Sequence, residues 1–279
     1  MERSATDYCN ENKPSWCNGC SFFSIFGALT ELLAEKQIDP DKVNVISGIG
    51  CSSRLPLHLN TTGMHTLHGR AIAVAVGARI ARPDIAVIVT AGDGDLFSIG
   101  IGHFVNAAKK NFDMTVICMD NRMYAMTSNQ SSPTSPSQHS GSLTPFGYND
   151  LPLNVLEFAI SSGATFVSRT YAGSAPHLRE TLSSAFNHKG FSFVEVIAPC
   201  KTFGNDFNAD LFEKNLVDIN KTGAYDPYNR EEALGAASIA FDFDTDKNSK
   251  IPLGVFYIRN AQTFEDYVSE IKKTKSLHK

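Results

Sequence analysis

The segment from Ala91 to Asn121 constrains the fold more than any other part of this chain. An apolar run at residues 85–90 leads into a Gly-Asp-Gly-Asp turn, a helical pattern follows, and a second apolar run at 114–119 ends just before Asn121. Two short apolar runs separated by a helix predict a parallel βαβ unit. Parallel strands end at the same edge of their sheet, so the two turns should lie side by side.

The same alternation continues along the chain and predicts an α/β fold, a doubly wound and mostly parallel sheet. Residues 1–203 form this domain, and the more polar residues 204–279 form an extension that packs on it or on a partner subunit. A loose arm is expected at 1–15, irregular structure at 52–68 and a long functional loop at 127–150. The remaining apolar runs predict strands at 43–47, 165–170, 191–197 and near 253–258, and helices from about 22, at 71–81, 99–109, 153–160, 176–187 and near 230–240.

Composition excludes several functions. The net charge of −4 over 279 residues gives no basic surface for nucleic acid. The apolar runs are too short to cross a membrane, and the polar N-terminus lacks the apolar core of a secretory signal. A cytoplasmic location with reduced thiols is therefore expected, and the six cysteines should be ligands or core residues rather than disulfides.

Oxygen ligands follow the two strands of the βαβ unit. The Asp93 carboxylate, the Asn121 amide oxygen and a backbone carbonyl just beyond it suit Mg²⁺ holding a diphosphate, with the glycines of the turn admitting phosphate. The alternative is a pair of tight turns capped by surface Asp and Asn side chains. The spacing matches neither a G-x-G-x-x-G dinucleotide site nor a P-loop.

Four cysteines have positions that suit a shared ligand. Cys17 and Cys20 form a C-x-x-C turn, and Cys51 and Cys200 each follow a predicted strand. Four converging thiolates can hold zinc or an iron–sulfur cluster, and spacing does not choose between them. Cys118, inside an apolar strand, is expected in the core.

The turn at 92–95 followed by Asn121 resembles the thiamine diphosphate signature, which implies that Asp93, Asn121 and the Met123 carbonyl bind Mg²⁺. The whole chain resembles beta subunits of 2-oxoacid:ferredoxin oxidoreductases. That resemblance rests on an ordered set of motifs: Trp16-Cys17-Asn18-Gly19-Cys20, Gly48-Ile49-Gly50-Cys51-Ser52, His68-Gly69-Arg70-Ala71, Gly92-Asp93-Gly94-Asp95, the loop from Tyr124 to Pro136, and Pro199-Cys200-Lys201-Thr202-Phe203.

The resemblance implies a site in detail. It implies the thiamine diphosphate-binding fold of the pyrophosphate domain, and one [4Fe-4S] cluster ligated by Cys17, Cys20, Cys51 and Cys200. The catalytic residues implied are His68, Ser128 and Asn129, because the loop around Ser128 tunes the substrate in the family. The thiamine contacts implied are Ile49, Gly50, Cys51, Ser52, His68, Gly94, Asp95, Ala125 and Met126.

The implied reaction is the coenzyme A-dependent oxidative decarboxylation of a 2-oxoacid, with electrons leaving through the cluster to ferredoxin. The loop resembles that of 2-oxoglutarate enzymes, so succinyl-CoA and CO₂ are the expected products. An alpha subunit is expected to supply the glutamate that activates thiamine. The alternatives are a pyruvate or branched-chain oxoacid member of the family, a non-oxidative thiamine decarboxylase or synthase, and a zinc-stapled nucleotide-binding module without catalysis.

Overall fold

One sheet organises the chain. A computed structural model describes residues 2–141, 143–204, 213–239 and 250–276, and within them eight strands lie in the order β2-β1-β3-β4-β6-β5-β8-β7. Neighbouring strands are parallel except for β5 and β8, which are antiparallel. The predicted α/β class is therefore confirmed. The strands are β1 Val43–Ser47, β2 Thr62–His65, β3 Ala86–Gly92, β4 Met114–Asp120, β5 Phe166–Tyr171, β6 Phe191–Ile197, β7 Leu216–Asp218 and β8 Ile251–Ile258.

Helices cover both faces of this sheet. Successive residues of a strand point to opposite faces, and in β3 Val87 and Val89 join one apolar cluster while Ile88 joins the other. Helices α1 and α6 pack over the Ile88 side, and α2, α4, α5 and α7 pack over the other. The helices are α1 Phe22–Glu35, α2 Ala71–Ala81, α3 Asp93–Phe97, α4 Ile101–Lys109, α5 Val155–Ser162, α6 Ala175–Asn187, α7 Arg230–Ser238 and α8 Phe264–Ser276.

Burial and capping explain where the elements lie. Every residue of β1, β4 and β6 is buried, as expected for strands covered on both faces. Helix α5 begins where the Asn154 side chain accepts a hydrogen bond from the Glu157 amide at 3.2 Å. It ends at Gly163, whose φ of 98° lies in the left-handed region that glycine tolerates best.

Two of the expected irregular segments are ordered instead. The arm at 1–15 contains a 3₁₀ turn, Ala5–Tyr8, and Tyr8 is completely buried with its hydroxyl donating to the Ile38 carbonyl at 2.5 Å. The prediction of a loose arm was wrong because one buried aromatic residue fixes a segment that is otherwise polar. Residues 52–68 hold a second 3₁₀ turn, Ser52–His58, and β2, which pairs with β1 at the edge of the sheet.

The extension at 204–279 adds to the same sheet. Strand β8 pairs with β5, and β7 pairs with β8. Helix α8, which the sequence pattern did not predict, is tied to the domain by Arg79, whose guanidinium contacts Glu265 at 3.1 Å and Asp113 at 2.7 Å. The boundary at 203/204 stays a prediction, as does any contact of the extension with a partner subunit. No helix in the described part of the chain has the length and apolar character needed to cross a membrane.

Candidate active site

Four adjacent parallel strands bring the predicted ligands to one edge of the sheet. In the order β1, β3, β4, β6, their carboxyl ends lead to Cys51, Asp93, Asn121 and Cys200. Since ligands of such sheets gather beyond the carboxyl ends of the strands, this edge is the place for a site. Two cavities lie there.

The larger cavity is a cleft of about 340 Å³. All of the residues expected to contact thiamine lie in its wall, as do the three expected Mg²⁺ ligands. The wall consists of Phe22, Ile49, Gly50, Cys51, Ser52, His68, Gly92, Asp93, Gly94, Asp95, Met119, Asn121, Met123, Tyr124, Ala125, Met126, Thr127 and Gln130.

Two buried carboxylates lie at the carboxyl ends of β3 and β4, and one of them, Asp93, lines the cleft. Asp93 and Asp120 are each almost inaccessible to solvent, and both lie within hydrogen-bonding distance of the Thr134 hydroxyl. Burial raises the pKa of Asp93, and it raises the pKa of Asp120 well above the usual value, with the charges of Asp93 and Glu195 adding to the effect on Asp120. A buried carboxylate is stable as an anion only beside a cation. The arrangement fits a divalent ion held by Asp93, with an oxygen of Asn121 at hand.

Asp95 is a residue of α3 whose side chain binds two loops of the cleft wall. Its Oδ1 accepts hydrogen bonds from the Ile49 amide at 3.0 Å and the Gly69 amide at 2.8 Å, and it lies 2.8 Å from His68 Nδ1. A side chain at Gly48 would place its Cβ 1.9 Å from Asp95 Oδ2, so only glycine fits there. Asp95 thus fixes His68 at the wall of the cleft.

The segment after β4 packs directly on the Gly-Asp-Gly turn. A Cβ at Gly94 would lie 2.2 Å from the Tyr124 ring, and the Tyr124 hydroxyl donates to the Gly94 carbonyl at 3.2 Å. Glycine at position 94 therefore lets the loop approach the turn closely. This contact brings Ala125 and Met126 over the cleft.

The predicted catalytic residues are not all at the wall. His68 lines the cleft, whereas Ser128 and Asn129 do not, although their neighbours Thr127 and Gln130 do. Ser128 and Asn129 both have left-handed backbone conformations, with φ of 69° and 71°. They turn the chain at the tip of the loop, and a catalytic role for either stays a prediction.

The smaller cavity, of about 60 Å³, is lined by all four predicted cluster cysteines. The Cys20 amide donates to the Cys17 carbonyl at 3.0 Å across a turn that requires the φ of 72° at Gly19. Burial raises the pKa of Cys20, and the nearby charges of Cys200, Cys51 and Cys17 raise it further. The four cysteines therefore lie around one partly buried cavity.

The cysteines do not form a preformed site for a single ion. Zinc holds each sulfur at about 2.3 Å. Across the described ranges, no group of three or more His, Cys, Asp or Glu side chains is arranged to hold one metal ion. The same four thiols are a donor set that either zinc or an iron–sulfur cluster can use.

The two cavities are neighbours with a common wall. Four residues line both of them, namely Phe22, Cys51, Asn121 and Ala125. Asn121 and Cys51 thus each face the cleft and the cysteine cavity. Groups bound in the two cavities would be separated by only this layer of side chains.

Several contributors to the site were not predicted. Asp120 directly precedes Asn121, and an acidic residue at the end of an apolar strand is a signal that could have identified it. Thr134 and Arg54 carry no local signal, yet Thr134 contacts Asp93, and Arg54 lines the cysteine cavity while its Nη1 donates to the Ser15 carbonyl at 2.9 Å. Cys118 is completely buried, which confirms the prediction that it is a core residue.

Comparison with known proteins agrees with this site. Residues 48–196 match the C-terminal TPP-binding domain of thiamine pyrophosphate enzymes, and residues 200–273 match the C-terminal domain of pyruvate ferredoxin oxidoreductase beta subunits. The beta subunit of 2-oxoacid:ferredoxin oxidoreductase 1 from Aeropyrum pernix is 36% identical over 96% of this chain and 85% of its own length. The chain belongs to the family of 2-oxoacid:ferredoxin oxidoreductase beta subunits.

Other members of the family are similarly close. The 2-oxoglutarate synthase subunit KorB of Methanocaldococcus jannaschii is 34% identical and covers 94% of each chain. A solved structure of 2-oxoglutarate:ferredoxin oxidoreductase from Magnetococcus marinus, with 2-oxoglutarate, coenzyme A and succinyl-CoA bound, superposes with a TM-score of 0.92. Its chain is 36% identical, and the match covers 98% of this chain and 91% of that one. The protein is therefore an enzyme subunit with the thiamine diphosphate-binding fold.

Proposed function

We propose that this 2-oxoacid:ferredoxin oxidoreductase beta subunit oxidises 2-oxoglutarate to succinyl-CoA and CO₂ and passes the electrons through a [4Fe-4S] cluster to ferredoxin. The observation that carries the proposal is the wall shared by the cleft and the cysteine cavity. Thiamine diphosphate, when bound, supplies an electron sink for decarboxylation, and a cluster accepts electrons singly. A cofactor in the cleft would lie directly beside a cluster in the second cavity.

The Mg²⁺ ligands proposed are the side chains of Asp93 and Asn121 and the carbonyl of Met123. Their support is the burial of Asp93 beside a second carboxylate and the position of all three in the cleft wall. Carboxylate and amide oxygens suit this hard cation, which prefers to share its remaining sites with phosphate oxygens and water.

The cofactor contacts proposed surround the same cleft. Residues 49–52 and His68 lie on one side, joined by their common partner Asp95, and Ala125 and Met126 lie on the other. Contact with the diphosphate is proposed for Gly94 and Asp95, which follow Asp93. His68 faces the reacting end of the cleft in this proposal, with Ser128 and Asn129 acting on the substrate from the loop.

The cluster ligands proposed are Cys17, Cys20, Cys51 and Cys200. Two observations support them: the four side chains line one cavity, and that wall carries the cations Arg54 and Lys201 but no acid among the described residues. Cationic walls suit a cluster bound by four thiolates because its net charge is negative. Reduced thiols also suit the cytoplasm, where we place the protein.

The choice of 2-oxoglutarate rests on relatives and on the loop. The KorB relatives and the Magnetococcus marinus enzyme are named for this substrate, while the Aeropyrum pernix relative is named only for 2-oxoacids. Coenzyme A is proposed as a substrate and ferredoxin as the electron acceptor because the names of these relatives include them. Pyruvate and branched-chain oxoacids are the competing substrates.

An alpha subunit is proposed to close the cleft and to supply the activating glutamate. Apolar side chains are exposed around the opening: Ile49 and Met126 in the wall, and Leu67 and Ile99 beside the loop that carries His68. Apolar groups exposed together around a site indicate a surface that a partner covers.

The test compares the isolated chain with the chain co-purified with its alpha subunit, both anaerobic and loaded with Mg²⁺ and thiamine diphosphate. Only the complex should reduce ferredoxin when given 2-oxoglutarate and coenzyme A, and pyruvate should give a much lower rate. Oxoacid oxidation by the isolated chain would contradict the partner proposal, and a preference for pyruvate would contradict the substrate.

A further inference from the structure

A buried polar segment lies in the middle of the otherwise accessible loop at 127–150. Ser132, Thr134 and Ser135 are each at most 4% exposed. Polar side chains are buried only where they find hydrogen-bonding partners. The partners of this segment show what it holds in place.

The Thr134 hydroxyl lies between the two buried carboxylates. Its Oγ1 is 2.8 Å from Asp93 Oδ2 and 3.0 Å from Asp120 Oδ1. One hydroxyl proton can be donated to only one of them at a time. Donation to Asp93 Oδ2 fixes the orientation of that carboxylate, and its remaining lone pairs stay available to a cation.

The same segment also holds the backbone between two proposed metal ligands. Arg122, which separates Asn121 from Met123, has a φ of 59°. This left-handed conformation is unfavourable for a residue with a side chain. Ser135 Oγ donates to the Arg122 carbonyl at 2.5 Å, and Arg122 Nε donates to the Thr134 carbonyl at 3.0 Å. These two bonds stabilise the turn that aims both ligands into the cleft.

We infer that Thr134 is a positioning residue, which orients Asp93 for Mg²⁺ and couples binding of the metal to ordering of the loop. The inference rests on the proposed function, because it takes Asp93 as a Mg²⁺ ligand. Coupling is reciprocal: if the anchored loop strengthens metal binding, bound metal stabilises the anchored loop by the same factor. Residues 136–141 and 143–150, which follow Thr134 in the loop, then become more ordered when the cofactor is loaded.

The first experiment measures metal affinity with Mn²⁺ as the probe. The complex with the alpha subunit is stripped of metal, saturated with thiamine diphosphate and titrated while electron paramagnetic resonance follows free Mn²⁺. Thr134→Val keeps the size of the side chain but removes the hydroxyl, and it should weaken Mn²⁺ binding about 10- to 100-fold, as loss of a partner of a metal ligand does. Thr134→Ser should restore most of the affinity.

A matched control is Thr181→Val. Thr181 is buried in α6 and donates to the His177 carbonyl at 2.7 Å, away from the cleft. This variant loses a comparable buried hydroxyl and should bind Mn²⁺ like the wild type. Where Thr134→Val does not fold, Thr134→Ala takes its place with the same order of affinities expected.

The second experiment measures amide hydrogen exchange at 136–141 and 143–150. Adding Mg²⁺ and thiamine diphosphate should slow exchange there in the wild type, and this protection should be lost in Thr134→Val at matched cofactor occupancy. Unchanged Mn²⁺ affinity in Thr134→Val, or equal protection in both proteins, overturns the inference alone. Wild-type protein that binds no Mn²⁺ with thiamine diphosphate overturns the proposed function as well.

Discussion

The indole Nε1 of Trp16 donates a hydrogen bond to the backbone carbonyl of Cys51 at 2.8 Å. This bond joins the C-x-x-C turn near the N-terminus to the loop after β1, two segments far apart in sequence. Rings of Phe22, Phe26 and His58 pack against the indole and keep it in place. Trp16 therefore sets the spacing between the first two cysteines and the third.

Replacing Trp16 with Phe should make the proposed cluster labile. The variant keeps an aromatic ring but leaves the Cys51 carbonyl without its donor, which costs about 1–3 kcal/mol where the group stays buried. We expect a lower iron content and faster loss of visible absorbance in air. Tyr8→Phe is the matched control, since it removes the bond to the Ile38 carbonyl away from the cysteines. Equal cluster lifetimes in the two variants would show that the bond from Trp16 to Cys51 does not stabilise the cluster.

The two cavities should be separable by mutation. Asp93→Ala should lose Mg²⁺ and thiamine diphosphate but keep iron and visible colour, because Asp93 lines only the cleft. Cys17→Ser should lose the colour but keep thiamine diphosphate. Cys9→Ser is the control and should keep both, because the Cys9 thiol contacts the Ala5 carbonyl and lines neither cavity. Iron analysis and bound thiamine are measured on the same anaerobic samples. Normal thiamine binding by Asp93→Ala would contradict the metal assignment.

The strand ends were predictable because each apolar run stops where the chain leaves the sheet, and Cys51, Asp93, Asn121 and Cys200 follow those stops. Contacts that depend on the folded loop were not. Thr134 lies in a Ser-Pro-rich stretch whose composition says only that it is a loop, and its hydrogen bond to Asp93 spans 41 positions. Helix α8 was missed because its sequence is polar and its anchor, Arg79, lies in another helix.

That anchor gives a prediction about stability. The Arg79 guanidinium is nearly buried between Asp113 and Glu265, so Arg79→Met leaves two acids without their cation. Breaking a buried pair in this way costs about 3–5 kcal/mol of unfolding free energy. Arg82→Met removes an exposed pair with Asp84 and should cost much less unfolding free energy. Urea denaturation of both variants measures the two losses of unfolding free energy. Similar losses would show that the Arg79 ion pairs stabilise the protein no more than the exposed pair does.

Acid should destabilise the protein through histidines that are wholly or partly buried. Burial lowers the pKa of His188, as it does for His58 and His177, below the usual 6.5. The unfolded chain therefore takes up protons at higher pH than the folded chain, and stability falls as the pH drops from 6.5 through these lowered values. His188→Gln should flatten the dependence of unfolding free energy on pH between about 7 and about 5. The unfolding free energy is measured at intervals of about one pH unit. An unchanged slope would mean that His188 is not one of the responsible groups.

The shared wall between the cleft and the cysteine cavity predicts direct electron transfer between groups bound in the two. The anaerobic complex, loaded with Mg²⁺ and thiamine diphosphate, is mixed with 2-oxoglutarate while its visible absorbance is recorded. We predict a brown protein that the oxoacid partly bleaches, as electrons pass from the cleft to the proposed cluster beside Cys51. A brown protein that dithionite bleaches and the oxoacid does not would contradict it.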